Sequence, residues 1–283
     1  METSPLLTEQ MRAATREIHS ISDKLVNLKL VVALMDKKLY GRALLLFYYV
    51  YVQLELIMKT HKNHAAFSGL YKIIDEIARA DNIAKDLEFY LGEEWNTKYQ
   101  PTQATQDYVK YVNSQNMTVF VSSNWLCFFF SFALELCEKV FVLLKLQNPT
   151  LVLPYCYHMY MAMLAGGVMI KKMVKRSFTP PEGQGLNCFA FNVDSNKALR
   201  HTIKDAINAV PHDEETKKLL LAESVTCFKL NNQIVQSLDG TGNHVMKFIL
   251  KWMVIVGLIL ATFFCFYSRF YQTKLKPNHF HAF

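Results

Sequence analysis

Residues 151–178 read LVLPYCYHMYMAMLAGGVMIKKMVKRSF, and the fold turns on how this stretch is read. From Tyr155 to Phe178 it has the character of one helix, apolar first and basic at its end. Two adjacent glycines, Gly166 and Gly167, sit in its middle. A glycine inside a helix costs about 1 kcal/mol relative to alanine, so a consecutive pair needs a reason. A kink with bare backbone would let something flat approach within van der Waals distance. Close helix–helix contact is the other reading.

Working outward, apolar positions recur at helical spacing in nearly every segment, and no strand-like alternation of useful length occurs. The fold class is therefore all-α. Helices are predicted over 6–29, 36–59, 67–79, 82–91, 102–113, 194–209 and 213–238. The stretch ALLLFYYVYVQLELI in the second is apolar nearly all round, which predicts burial on most faces. Gly92 and Pro211 act as stops, and TPPEGQGLNCFAF reads as a loop.

Two regions depart from a soluble helical domain. Residues 117–146 are apolar but broken by Ser122, Ser123 and Asn124, which reads as an apolar insertion, a second membrane segment or a translated non-coding stretch. Residues 248–268 interrupt their apolar run only with Lys251, with Trp252 and Tyr267 placed as interfacial aromatics; this matches a single transmembrane helix. The expected layout is a helical domain over 1–240, a linker over 241–247, the anchor over 248–268 and a tail over 269–283. No apolar h-region opens the chain. The expectation is thus a tail-anchored protein of the endoplasmic reticulum membrane with its helical domain facing the cytosol.

Net charge is +7, but the basic residues form no single block and do not alternate with aromatics, which argues against a nucleic-acid partner. Six cysteines form no C-x-x-C pair, so neither a zinc site nor a disulfide framework is indicated, and a reducing compartment is the simplest setting. Phosphate-loop, H-E-x-x-H and G-x-S-x-G motifs are all missing. What remains is a histidine on the first helix (His19), a double-glycine helix and cations on helices at both ends. Arg200 and Lys204 share one helix face at i, i+4. An axial imidazole, a flat slot and cations for two carboxylates would together suit a heme.

These residues resemble the heme oxygenase family. ATREIHSISDKL around His19 resembles the family's proximal-helix motif. YMAMLAGGVMIKK resembles its distal-helix signature, usually Y-L-G-D-L-S-G-G-Q-x-x-K-K. LGEEWNTKYQPTQATQDYVKYV and ESVTCFKLNNQIVQSL resemble two further segments in the right order. The resemblance implies a heme oxygenase-like helical bundle with a C-terminal transmembrane helix, as in membrane-bound members. It implies heme as both substrate and cofactor, and cleavage to biliverdin with release of iron and carbon monoxide. Oxygen and electrons from an NADPH-dependent flavin reductase would drive the reaction; because flavin reductases are commonly acidic, the basic residues Lys171, Lys172, Lys175 and Arg176 are expected as its docking patch. By the same resemblance His19 is the axial iron ligand, and Gly166 and Gly167 bring backbone over the porphyrin. Arg12, Tyr157, Arg200 and Lys204 meet the propionates. Phe228 and Asn231 line the pocket, and Tyr51 belongs to the distal hydrogen-bond network.

The distal helix departs from the family pattern. Met163 stands in place of the aspartate, Ala162 of the glycine before it, Ala165 of the serine, Val168 of the glutamine and Met159 of an arginine one turn earlier. In the family the aspartate orders water that delivers protons to activated oxygen, and a thioether accepts hydrogen bonds poorly. Slower turnover, looser choice of meso carbon or loss of activity is therefore expected. The alternatives are a non-catalytic heme-binding sensor or buffer of the same fold, and a membrane-anchored helical adaptor without cofactor.

Overall fold

The computed structural model describes residues 5–116, 148–239 and 241–274. Residues 117–146, where an insertion was expected, lie outside the described residues. Every regular element among the described residues is helical. The chain divides into two units, Met1–Leu238 and Asp239–Phe283.

The expected first helix is two: α1 (Leu7–Ala14) and α2 (Arg16–Ala33). Thr15 separates them at φ −100°, ψ 2°, and its buried hydroxyl donates to the Met11 carbonyl at 2.8 Å. A threonine that hydrogen-bonds back one turn competes with the helix ladder and bends it. α3 (Lys37–Thr60) starts at Asp36, whose Oδ1 accepts from the Leu39 amide at 2.9 Å, satisfying an orphan donor of the first turn. Its side chains Val50, Tyr51, Leu54, Ile57 and Met58 are buried, as its all-round apolar sequence predicts. α4 (Ala65–Tyr71), α5 (Ile74–Ile77), α6 (Ala80–Leu91), α7 (Trp95–Lys98) and α8 (Gln103–Asn116) follow. α3 packs against α6 and α8, and Gly92 ends α6 with a positive φ of 93°.

The decisive stretch becomes a short 3-10 turn, α9 (Leu153–Ala165) and α10 (Gly167–Phe178). The two parts, Pro149–Ala165 and Gly167–Phe178, are bent by 49° at Gly166, the kink that the glycine pair implied. α11 (Asn196–Asn208) is capped by Ser195, and α12 (Glu214–Gln236) by Asp213, whose Oδ1 accepts from the Thr216 amide at 2.7 Å. α12 is the floor of the domain, because α1, α2, α8 and α9 all pack on it.

Two buried charged residues pin a loop that no periodicity could reveal. Asp86 accepts from the Asn187 amide at 2.9 Å, the Asn187 side-chain amide at 2.8 Å and the Cys188 amide at 2.8 Å. Arg79 donates to the carbonyls of Ile77, Cys188 and Ala190 and lies 3.9 Å from the centroid of Phe191. Burial draws the Arg79 pKa down, and the phenol and carboxyl groups around it oppose that shift. The result is a fixed 3-10 turn, Asn187–Phe189, against α6 and α10.

The second unit carries α13 (Thr241–Lys274). Trp252, Leu258, Phe263 and Phe266 on it are exposed. Its described apolar portion is Leu250–Phe264, shorter than the roughly 20 residues a membrane span needs.

Candidate heme site

α2 and α9 stand as two walls on the floor of α12. His19 lies on α2 with its side chain 56% exposed. Its Nδ1 meets Asp23 Oδ2, one turn on, at 2.9 Å. A ring held at Nδ1 by a carboxylate presents Nε2 on its other edge and becomes a better metal ligand. Asp23 was not among the residues expected from sequence. The signal was present in the i, i+4 spacing of a carboxylate after the histidine.

Phe228 of α12 joins the two walls. Its ring lies 5.3 Å from the His19 ring and 4.9 Å from the ring of His158 on α9. His158 is 9% exposed, and its Nε2 is buried without a hydrogen-bond partner. Burial, and then the charge of His19, push its pKa down to about 3, so it is neutral at physiological pH. Asn231, one turn beyond Phe228, leaves its Oδ1 buried and unpartnered while its Nδ2 reaches Cys227 Sγ at 3.7 Å.

The two glycines have separate duties. A Cβ placed on Gly166 would meet only the Ala162 carbonyl of its own helix, at 3.2 Å, and nothing from another element. Ala162, Ala165, Gly166, Val168 and Met169 are exposed around it, so bare backbone and small side chains face open space. A Cβ on Gly167 would lie 3.1 Å from Phe189 Cδ1 and 3.5 Å from Met163 Sδ. The close contact at Gly167 is thus with the ring of a 3-10 turn, Asn187–Phe189, and not with a neighbouring helix. Gly166 leaves a flat approach open, and Gly167 admits the ring of the loop that Asp86 and Arg79 hold.

At the end of the walls, Arg12 is exposed on α1, and Tyr157 on α9 donates to the Thr8 carbonyl at 3.4 Å. Burial raises the Tyr157 pKa, and Arg12 is close enough to oppose that shift. Arg200 and Lys204 are half-buried on α11, which packs against α1 and α9. Cations and a phenol drawn from three neighbouring helices suit carboxylates at a pocket mouth. Tyr51 is buried on α3, and its hydroxyl donates to the Met159 carbonyl at 3.0 Å. It therefore braces α9 from behind and has its one proton already committed. Met163, in the position of the family's aspartate, is half-buried with its sulfur beside Gly167.

A heme fits these residues on three counts. The backbone at Gly166 is open to a flat ligand, the His19 imidazole is oriented by a carboxylate, and buried polar atoms of His158 and Asn231 lack partners.

Comparison with known proteins bears on the same residues. The family model described as heme oxygenase matches residues 6–123 and 134–237, leaving only 124–133 unmatched between them. The heme oxygenase of Guillardia theta is 24% identical over 251 residues, 88% of this chain and 93% of that protein. The rabbit (Oryctolagus cuniculus) heme oxygenase 2 is 27% identical over 243 residues, 84% of this chain and 67% of that protein. The crystal structure of heme oxygenase 2 from Chlamydomonas reinhardtii without heme superposes with a TM-score of 0.66 at 28% identity, covering 83% of this chain and 98% of that one. Heme oxygenase-1 of the cyanobacterium Synechocystis, crystallised with heme, shares the fold with a TM-score of 0.67 at 24% identity, over 90% and 100% of the two chains. These proteins share the all-helical fold across most of the chain, and the family model matches most of its length, so the chain belongs to the heme oxygenase family.

Proposed function

We propose that this protein opens heme to biliverdin, releasing iron and carbon monoxide, with oxygen and with electrons from an NADPH-dependent flavin reductase. The observations that carry the reading are His19 on α2, braced by Asp23, and the bare, open backbone at Gly166 where α9 meets α10. Heme, when bound, supplies both the iron at which oxygen is activated and the carbon skeleton that is cut. The protein's part is placement. His19 holds the iron, and Asp23 fixes the tautomer and angle of the ring. Arg12, Tyr157, Arg200 and Lys204 hold the propionate carboxylates and so set the rotation of the disc in its plane. Phe228 and the apolar residues around Gly166 exclude water.

Proton delivery is where this chain is weakest. The Met163 thioether cannot order water as a carboxylate does. Tyr51 donates its proton to the Met159 carbonyl. Turnover is accordingly slow and the choice of meso carbon loose. A second reading, a heme-binding sensor or buffer without turnover, is favoured by the same observation of Met163 tucked against Gly167.

The exposed apolar side chains of α13 and the apolar run 248–268 support a membrane anchor, with the helical domain in the cytosol at the endoplasmic reticulum. Lys172, Lys175 and Arg176 are exposed on α10 and form a basic surface suited to an acidic reductase. Reversing these charges raises the reductase concentration needed for half-maximal rate. An unaltered dependence removes that docking surface.

The deciding experiment is a single-turnover reaction of the heme complex with reductase and NADPH, followed by bile-pigment absorbance. Pigment with stoichiometric carbon monoxide supports the enzyme, and heme recovered intact supports the sensor. Met163→Asp raises the pigment yield. An unchanged yield shows that proton steering is not what limits this site.

A further inference from the structure

The outer side of α2 is apolar where a water-facing helix has no need to be. The buried residues of this helix are Ser22, Leu30, Val32 and Ala33. On its outer side Ile21, Leu28 and Val31, with Met35 just past the helix end, are each at least 41% exposed. Their sequence spacing puts all four in one stripe, about 21 Å long at 1.5 Å per residue. Single exposed apolar residues need no explanation, but a continuous stripe marks a surface that something covers. Cations border it. Lys24 lies within the stripe, one turn before Leu28, and Arg16, Lys37 and Lys38 are exposed at its two ends. Glu17 is the carboxylate on this side, while Asp23 is turned to His19.

The stripe also lies beside the point where the chain leaves the domain. Lys29 on α2 donates to the carbonyl of Gln236, the last residue of α12, at 3.4 Å. Leu238 closes the first unit, and the apolar portion of α13 opens at Leu250. Extended chain as far as Thr241 and helix beyond it reach about 24 Å. A domain of this length is on the order of 45 Å across. A bilayer that takes up α13 therefore holds the domain by a tether about half its own width, and the face nearest the exit is the one that meets lipid.

We propose that the outer face of α2 rests on the surface of an anionic bilayer. Ile21, Leu28, Val31 and Met35 enter the headgroup–acyl boundary, and the bordering cations meet lipid phosphates and carboxylates. Lys24 buries its stem and keeps its charge in the headgroups. This inference rests on the anchor reading above and goes beyond it, because it fixes which side of the domain faces the membrane. His19 lies two residues before Ile21, about 160° away round the helix, so lipid on the stripe leaves the imidazole clear. A flat apolar ligand dissolved in the bilayer then has about one helix diameter, roughly 10–12 Å, to travel to reach it.

The test is photocrosslinking of the full chain in vesicles of phosphatidylcholine and phosphatidylserine. A diazirine-bearing residue replaces Leu28, Val31, Val256 or Glu88, one at a time; Val256 reports the anchor, and Glu88, exposed on α6, is the control. Mass spectrometry after irradiation is expected to find phospholipid adducts at positions 28, 31 and 256 and none at 88. Ile21→Asp with Met35→Asp is expected to cut the lipid adduct at position 28 by about tenfold, since half of the apolar contact is lost. Adducts at 256 without any at 28 or 31 overturn the docking face and leave the anchor standing. Lipid adducts at no position overturn both. A peptide adduct from a second copy of the chain at position 28, in place of lipid, makes this face a dimer interface and overturns the proposal. So does a yield at 88 equal to that at 28, which is the mark of random collision with lipid.

Discussion

The two walls of the site differ in what they keep. On α2, His19 is exposed and carries its own carboxylate, Asp23, at 2.9 Å. On α9 and α10, the side chains around Gly166 are methyl and thioether: Ala162, Met163, Ala165, Val168 and Met169. On the proposed reading one wall grips iron, and the other lies flat against a ring. Grip and flatness are steric and coordinative properties that need few residues, whereas proton delivery needs a polar chain that this distal wall lacks. On the function proposed above, the contrast predicts that heme binding and heme cleavage can be separated in this protein. The largest effect is therefore expected on the gripping wall. His19→Ala lowers ferric heme affinity by more than about 100-fold, beyond the upper end of what losing a ligand's hydrogen-bond partner costs. Optical titration of the folded variant checks this, and retained affinity would mean that the distal wall alone holds the disc.

The distal wall can be broken in two ways that should not resemble each other. Gly167→Val places branched carbon against Phe189, already 3.1 Å from a Cβ there. Overpacking of this kind costs about 1–3 kcal/mol, and it falls on the apoprotein as a lowered denaturation midpoint. Gly166→Val meets nothing from another element, so the apoprotein changes by less than about 1 kcal/mol. The overpacking of about 1–3 kcal/mol falls on the heme complex instead. Denaturant titration with and without heme separates the two, and equal losses of apoprotein stability at both positions would show that the open face is illusory.

Much of this was legible in the chain itself. Helical spacing and turn residues located the longer helices to within a few positions, because tertiary packing there agrees with local pattern. The single helix expected over 67–79 is instead two, Ala65–Tyr71 and Ile74–Ile77, and the short Trp95–Lys98 was not read at all. His19 and the glycine pair were legible because a histidine on an apolar stripe and a double glycine inside a helix both ask for an explanation. Thr15 was not read as a break, since a threonine in a helical run signals nothing until its hydroxyl is seen donating to Met11. The division of labour between Gly166 and Gly167 was invisible. It depends on Phe189, brought in by a loop whose anchors, Asp86 and Arg79, are far away in sequence. His158 was in plain view, a polar residue inside an otherwise apolar run, yet only its unpartnered Nε2 and its shared contact with Phe228 give it weight.

A third way to sharpen the comparison uses pH on the apoprotein. His158 titrates at about 3 in the fold, against roughly 6.5 when unfolded. The depressed value means that the unfolded chain takes up the proton first. The contribution of His158 to stability is whole above about pH 6.5 and drains as pH falls toward 3, at about 1.4 kcal/mol per unit. By pH 5 the loss is about 2 kcal/mol. Glu55 works in the other direction, because burial raises its pKa in the fold and acid then favours the native state. Comparison with His158→Gln cancels that term. The variant should lose about 2 kcal/mol less than the wild type between pH 7 and pH 5, read from denaturant midpoints, and parallel curves would mean that the ring is not buried in solution.

The smallest expected effect tests how the gripping wall is tuned. Asp23 touches His19 only at Nδ1, on the edge of the ring away from Nε2, so it orients and polarises the imidazole without touching the ligand it holds. Asp23→Asn keeps the size and offers a carbonyl oxygen to the same N–H, but removes the negative charge. The imidazole then pushes less electron density toward iron, and affinity falls by about tenfold, the lower end of the range for such partners. A structural role alone would predict the same modest loss of affinity, so affinity does not decide the matter. The ferrous iron–histidine stretching frequency does, since it reports the strength of that bond: it should drop in Asp23→Asn and recover in Asp23→Glu, provided the longer side chain still reaches Nδ1. If the frequency is the same in all three, Asp23 is a surface carboxylate that happens to lie within reach, and the proximal wall grips iron with an untuned histidine.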